Sequence, residues 1–231
     1  MPGFEVLYED GPCLVVSKPS GLLTQAPPGI DSLEVRIKTF LKERGDLAAE
    51  VYLGLPHRLD RPVSGAMVFG LDRKTTRRLS AQFEKRKVRK TYWACVFGVV
   101  EPAEGTWKDR VRKVPGRPRA EIVGPEHAEG REAILHYRTL GATAWGSWLE
   151  IELETGRMHQ IRIQAASRGH PVLGDADYGS TVPFGPPCDD ARLRAIALHA
   201  RTLEFRDPTT RQDIALTAPL PNPWLSLGVL P

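Results

Sequence analysis

The stretch "HRLDRPVSG", His57 to Gly65, sets one carboxylate, Asp60, between Arg58 and Arg61, with His57 close by and Pro62 and Gly65 confining the backbone that follows. An acid in such company is either a solvated charge pair of little energetic worth or an ionised aspartate kept available as a nucleophile. A second stretch, "ETGRMHQIRIQAASRGHPVLGDADYG", carries Arg157, His159 and Arg162 after the Thr155-Gly156 turn, at the start of a predicted helix. Taken alone it reads as an exposed helix start receptive to anions. Beside an aspartate loop it can supply a buried arginine, because an opposite charge at ~4–6 Å favours the ionised carboxylate. The third group is Tyr92 in "RKTYWACVFG". A strand tyrosine is ordinarily core packing, but over a site its ring can stack on a nucleobase.

Other chemistries find no support. The chain has no GxxxxGK[ST] loop, no GxGxxG after a strand, no HExxH and no GxSxG. Its six histidines are scattered singly, so no metal site is expected. The three cysteines, Cys13, Cys95 and Cys188, are widely spaced and suggest neither disulfides nor a zinc knuckle. No cofactor is expected, and the chemistry rests on ordinary side chains.

The elements that must position these residues are mostly strands. "FEVLYED" and "CLVVSKPSG" read as two strands about the turn "EDGP". Asp31 or Ser32 then offers an N-cap for "LEVRIKTFLKERG". "GAMVFGLD" is a short buried strand leading into the helix "KTTRRLSAQFEKR", and "TYWACVFGVV" is a further strand. Glu101 to Gly130, rich in Gly, Pro and charge, reads as irregular structure or a long hairpin excursion. "EAILHYRTL" and "SWLEIEL" pair around "GATAWG"; "HQIRIQAASRG" is a helix ending at Gly169; "ALHARTLEF" and "QDIALTAP" pair around "RDPTTR". Hairpin-like neighbours outnumber βαβ units, which predicts an α+β fold with a central mixed, mainly antiparallel sheet.

At 231 residues the chain can bury a substantial core. Its net charge of +4, from 32 basic and 28 acidic residues, is too small to prove a polyanion partner, so distribution matters more. Arg73 to Lys90 holds nine Lys/Arg against Glu84 alone, and Lys108 to Arg119 is likewise basic against Asp109 alone. With Trp93 and Trp107 nearby, the two blocks point toward a polyanion. "MPGFEVLYED" has no signal-peptide pattern, and the longest apolar run, "YWACVFGVV", falls short of the ~20 residues of a membrane helix. A cytoplasmic protein without membrane contact is expected.

The chain resembles the RluA-type family of RNA pseudouridine synthases. The likeness is carried by "HRLDRPVSG", "KTYWACVFG" and "TGRMHQIRIQAASRGHPVLGDADYG", with "KPSGLLTQ" and "LHARTLEF" in support. It implies one catalytic domain over residues 1–231 with a basic cleft, no separate N-terminal RNA-binding domain, and a monomer acting on ribosomal or transfer RNA without a cofactor. It further implies Asp60 as nucleophile, Arg58 as the residue that fills the RNA stack, Tyr92 as the uracil-stacking residue and Arg162 as the partner of Asp60. Arg157 and His159 would contribute to substrate binding. The family has threonine in place of Val63 and histidine in place of Gln164, departures that bear on substrate preference. Two other readings compete: an RNA-binding protein on the same fold without catalysis, and a hydrolase pairing Asp60 with Asp175. Nothing in the sequence brings Asp175 to Asp60, and the hydrolase would need two carboxylates at a fixed separation.

Overall fold

The computed structural model describes residues 2–45 and 51–229. Among the described residues, ten strands, three α-helices and three short 3-10 helices make up the regular structure, and the chain resolves into two compact units. Residues 1–90, 188–193 and 200–221 form the first, and residues 91–187, 194–199 and 222–231 the second.

In the first unit, β1 (Glu5–Asp10), β2 (Cys13–Lys18) and β3 (Ser64–Gly70) lie side by side, followed by β9 (Leu198–Arg206), with β10 (Asp213–Thr217) on β9. β2 and β3 run antiparallel with Lys18 opposite Gly65. Both strands are apolar almost throughout, as strands covered on both faces must be. Cys13, Val15, Ala66, Val68, Leu79, Leu203 and Phe205 form one buried cluster. Helix α1 (Leu33–Glu43) starts where the Ser32 hydroxyl accepts from the Val35 N–H, and it buries Leu33, Ile37 and Leu41. Helix α2 (Arg73–Glu84) is capped by Asp72 and buries Thr75 and Leu79. Thr76 of α2 sits so close to β3 that a Cβ on Gly70 would fall 2.4 Å from its hydroxyl.

In the second unit, β4 (Arg89–Cys95), β8 (Gly146–Leu153), β7 (Arg131–Thr143), β5 (Glu104–Lys113) and β6 (Ala120–Val123) lie side by side in that order. The β4–β8, β7–β8, β5–β7 and β5–β6 ladders are antiparallel, and a lone parallel bridge joins Gly98 to Gly146. The sheet is thus mixed and mainly antiparallel, as the hairpin-like pattern predicts. Helix α3 (Gln160–Ala166) packs Ile163 against Val111, Ala120 and Ala133.

Two expectations change and one is resolved. The strand expected over "TYWACVFGVV" stops at Cys95, beyond which Phe97 and Val99 are exposed. Of the two alternatives for Glu101 to Gly130, irregular structure or a long hairpin excursion, the chain forms the hairpin, β5–β6. Trp107, Val111, Ala120 and Ile122 face inward there, an apolar alternation hidden among charges. The helix after the Thr155-Gly156 turn begins at Gln160 and ends at Ala166, with hydrogen-bonded turns carrying the chain on to Gly169.

Candidate active site

Asp60 lies in the first unit, half-buried, on a segment without regular structure that leads into β3. That segment is held through its backbone. Thr24, itself buried, donates its hydroxyl to the Leu59 carbonyl (2.8 Å) and accepts from the Leu59 N–H (3.2 Å). The Arg61 carbonyl accepts from the Gly21 N–H (2.9 Å) and from the Lys18 ammonium (3.2 Å). The Asp60 carbonyl accepts from the Val63 N–H (3.1 Å). Arg58 is exposed.

His57, close to Asp60 in the sequence, adds no positive charge to the loop. Its Nε2 accepts from the Val68 N–H (3.0 Å), which requires the neutral imidazole on that nitrogen. The ring stacks on Phe83 with centroids 4.5 Å apart. Burial, aided by the charge of Lys90, pushes its pKa down to about 3. His57 therefore anchors the start of the loop to β3 as a neutral group.

Gly65 closes the same loop. Its φ is +120°, and a Cβ there would meet the Ala200 carbonyl oxygen at 2.3 Å. Gly65→Ala adds both an unfavourable backbone conformation and a backbone clash. It is expected to destabilise the protein by at least about 1–3 kcal/mol, read as a lower urea midpoint at unchanged m-value.

The remaining predicted residues lie in the second unit. Tyr92, on β4 opposite Ile151 of β8, is only 6% exposed. Arg162 lies on α3 and is buried. Its Nε and Nη2 donate to the two carboxylate oxygens of Asp175 at 2.6 and 2.8 Å, and Nη2 also reaches Asp177 at 3.2 Å. The guanidinium further lies over the Tyr178 ring, 4.9 Å from its centroid. His159 caps α3 in a left-handed conformation (φ 51°), one of few non-glycine residues so placed, and its Nδ1 is 2.9 Å from the Tyr178 hydroxyl. The same hydroxyl accepts from the Ala120 N–H (2.9 Å), tying β6 to the start of α3. Arg157 is exposed and donates its Nε to the Glu132 carbonyl (2.9 Å). Arg162 and His159 are thus brought together around Tyr178, while Arg157 turns to β7.

Two residues escaped sequence reasoning, Lys18 and Tyr178, while Asp175, weighed as the second acid of a hydrolase, is instead the partner of Arg162. Lys18 and Tyr178 stand inside quoted blocks, "KPSG" and "DADYG", but nothing in their spacing says that one is fully buried and the other holds a guanidinium. Asp175 is engaged at both oxygens by Arg162, which leaves it poorly suited to act as the second acid of a hydrolase. Gln164, where the family has histidine, donates Nε2 to Asp109 (2.6 Å) within a buried network that includes Arg168. Trp107 is buried against Tyr137 and Trp93 packs edge-on against Trp148, so neither is an open platform beside the basic blocks. Among the described residues, no group of three or more His, Cys, Asp or Glu is arranged to hold a metal ion. No described helix is long and apolar enough to cross a membrane.

The geometry can be set beside known proteins. The family profile described as RNA pseudouridylate synthase matches residues 12–167, which include Asp60, Tyr92 and Arg162. An uncharacterized RNA pseudouridine synthase of Synechocystis is 34% identical over 220 residues, covering 94% of this chain and 65% of that protein. The ribosomal large subunit pseudouridine synthase D of Xanthomonas campestris is 35% identical over 224 residues, covering 94% of this chain and 66% of that protein. The chain therefore spans about two thirds of the length of these curated relatives. In fold it is similar to human RNA pseudouridylate synthase domain containing 4, with a TM-score of 0.76, 24% identity, and coverage of 94% of this chain and 89% of that one. A profile match over more than half the chain, with relatives above 30% identity along nearly all of it, has one meaning: the chain belongs to the RNA pseudouridylate synthase family, in its RluA-type branch.

Proposed function

We propose that this protein isomerises uridine to pseudouridine in structured RNA, with Asp60 as the nucleophile. The observation that carries the proposal is the family match across residues 12–167, which takes in the Asp60 loop, Tyr92 and Arg162 together. In the reaction the N1–C1′ bond breaks, the base turns, C5 bonds to C1′, and the C5 proton leaves while N1 gains one. Redox and energy balance are even, so ordinary side chains suffice. The target uridine must leave its stack to be reached. Exposed Arg58 is proposed to fill the vacated space, and the ring of Tyr92 to stack on the uracil and assist removal of the C5 proton. Arg162 is proposed to pair with Asp60; its fixed attachment to Asp175 would give it a constant orientation for that task. Arg157 and His159 are proposed to support RNA binding. The substrate is proposed to be ribosomal or transfer RNA, and large-subunit ribosomal RNA is the first to try because several relatives carry that name.

A single-turnover reaction on uridine-containing RNA tests this. Pseudouridine supports it, unchanged but bound RNA supports the non-catalytic reading, and free uracil supports a hydrolase.

RNA grip is proposed to come from the basic blocks, but only from part of each. Arg78 donates to the Pro208 carbonyl and Lys90 lies over Phe83, while Arg112 pairs with Glu121 and Glu129 and Arg110 holds the Gly130 carbonyl. Arg73, Lys74, Arg77, Lys85 and Lys87 are exposed. Replacing Lys74, Arg77 and Lys87 by glutamine should weaken binding to every RNA sequence alike. The slope of log K against log salt should flatten by roughly 0.7–0.9 per phosphate contact removed. An unchanged slope would return these cations to the solvated surface.

A further inference from the structure

We infer that Tyr52, with the Arg73 guanidinium over its ring, is a second RNA contact that stacks on a nucleobase about 20 Å from Asp60, so that the substrate RNA must extend roughly six nucleotides beyond the target uridine on one side. The inference rests on the reading of this protein as an RNA pseudouridine synthase with Asp60 at the reacting uridine.

The distance follows from how the chain doubles back on itself between Gly54 and Gly70. The Gly54 N–H donates to the Gly70 carbonyl (2.8 Å) and the Gly70 N–H to the Gly54 carbonyl (3.1 Å), an antiparallel bridge. Further along, the Val68 N–H reaches the His57 ring (3.0 Å), and the Val63 N–H closes the far turn on the Asp60 carbonyl (3.1 Å). Asp60 therefore sits at the turn, and Tyr52 lies just past the bridged end. The length of β3 separates them: the steps from Ser64 to Gly70, at about 3.4 Å each, span about 20 Å. Stacked nucleotides rise by about 3.4 Å along one strand, so that gap holds roughly six of them.

The surroundings of Tyr52 say what it would meet. Val51 and Leu53 on either side are buried, while Tyr52 between them is turned outward and is 36% exposed. The backbone that presents it has no freedom to yield, because a Cβ on Gly54 would fall inside the Thr76 side chain of α2. Arg73 stands over the tyrosine ring, 5.6 Å from its centroid, and Arg73, Lys74 and Arg77 are all exposed at the start of α2. Exposed Arg58 adds a cation between Tyr52 and Asp60 on the same segment. Packing gives no reason for an aromatic ring here, and an exposed cation–π pair adds little stability by itself. A fixed, outward ring among cations that track away from the reacting residue has the composition of a single-stranded RNA site. The ring takes a base, on the face opposite the guanidinium, and the cations take phosphates.

The test uses the full-length protein and an RNA fragment that the wild type converts. One form is cut to about three nucleotides on either side of the target uridine, and the other keeps about ten, enough to pass Tyr52. The wild type should bind the longer form at least roughly 10-fold more tightly, the scale of one stacked base. Tyr52→Leu, which keeps apolar bulk but has no ring, should reduce that length-dependent gain about 10-fold, and Tyr52→Phe should keep it. A role in packing alone would weaken binding to both forms equally or to neither. With the wild type, 5-iodouridine walked along the longer form should photo-crosslink to Tyr52 about six nucleotides from the target. This second readout holds even if Tyr52→Leu fails to fold. A full length-dependent gain in Tyr52→Leu, or crosslinks to Tyr52 only from nucleotides next to the target, overturns the inference. If the wild type converts no uridine-containing RNA, the functional reading falls and the inference with it. If RNA is converted and Tyr52→Leu still binds both forms as the wild type does, the inference alone falls.

Discussion

Asp60→Asn is expected to abolish pseudouridine formation, by at least roughly 10⁴-fold in rate, while the variant folds normally and binds RNA with near wild-type affinity. The asparagine amide matches the carboxylate in shape and can keep neighbouring hydrogen bonds, but it has no anionic oxygen with which to attack carbon. The backbone at this position is held by Thr24, Gly21 and Lys18 through Leu59 and Arg61, so none of these bonds depends on the Asp60 side chain. Structural collapse is therefore a poor explanation for lost turnover, and a thermal melt close to that of the wild type should accompany it. Measurable product from Asp60→Asn, with deamidation back to aspartate excluded by mass spectrometry, would overturn the mechanism. Arg58→Ala makes the informative contrast. Arg58 is exposed and is proposed to enter the RNA stack, so its removal should slow productive base flipping and leave the chemistry of an already single-stranded, unstacked uridine less affected.

Much of this arrangement can be read in the sequence, for physical reasons that differ by element. The strands and helices of the first unit follow from near-continuous apolar runs, a serine cap at Ser32 and an aspartate cap at Asp72, all local signals. The β5–β6 hairpin is hard to see because Trp107, Val111, Ala120 and Ile122 point inward among many charged neighbours, leaving few apolar positions for a clear period of two. The start of α3 is obscured for a different reason. His159 caps the helix in a left-handed conformation with no side-chain bond to the first turn, so no Ser, Thr, Asp or Asn marks the boundary. Among the residues proposed to act, Asp60 and Arg162 stand out because their charges are unusual in type and spacing. Asp175 and Lys18 do not, because their roles depend on contacts that form only when the chain folds: 13 residues of separation between Arg162 and Asp175, and 43 between Lys18 and Arg61. His57, too, takes its role from the fold: an N–H aimed at its ring nitrogen keeps it neutral beside two arginines.

Removing Asp175 is expected to be the most damaging single change in the second unit. The side chains of Arg162 and Asp175 are 3% and 1% exposed, so the pair has given up nearly all its hydration, and the two-pronged contact between them makes up much of that loss. Asp175→Ala removes both of those bonds and leaves Asp177, whose side chain is 75% exposed and which meets a single nitrogen at 3.2 Å, as a weaker carboxylate contact. Breaking a buried pair in this way costs about 3–5 kcal/mol, which for a protein of this size lowers Tm by roughly 10 °C. Turnover should fall with it, since the residue proposed as the partner of Asp60 loses its fixed orientation. Stability and function can then be parted with the double variant Arg162→Met/Asp175→Leu. Apolar groups of similar volume remove both charges, and such replacements are often neutral or stabilising, so the melt should return most of the way to the wild type. Turnover should not return, because the cation proposed for Asp60 is gone. A double variant that is both stable and active would mean that Arg162 and Asp175 hold the fold together and nothing more, and the charge beside the nucleophile would have to come from elsewhere, with Lys18 the first residue to ask.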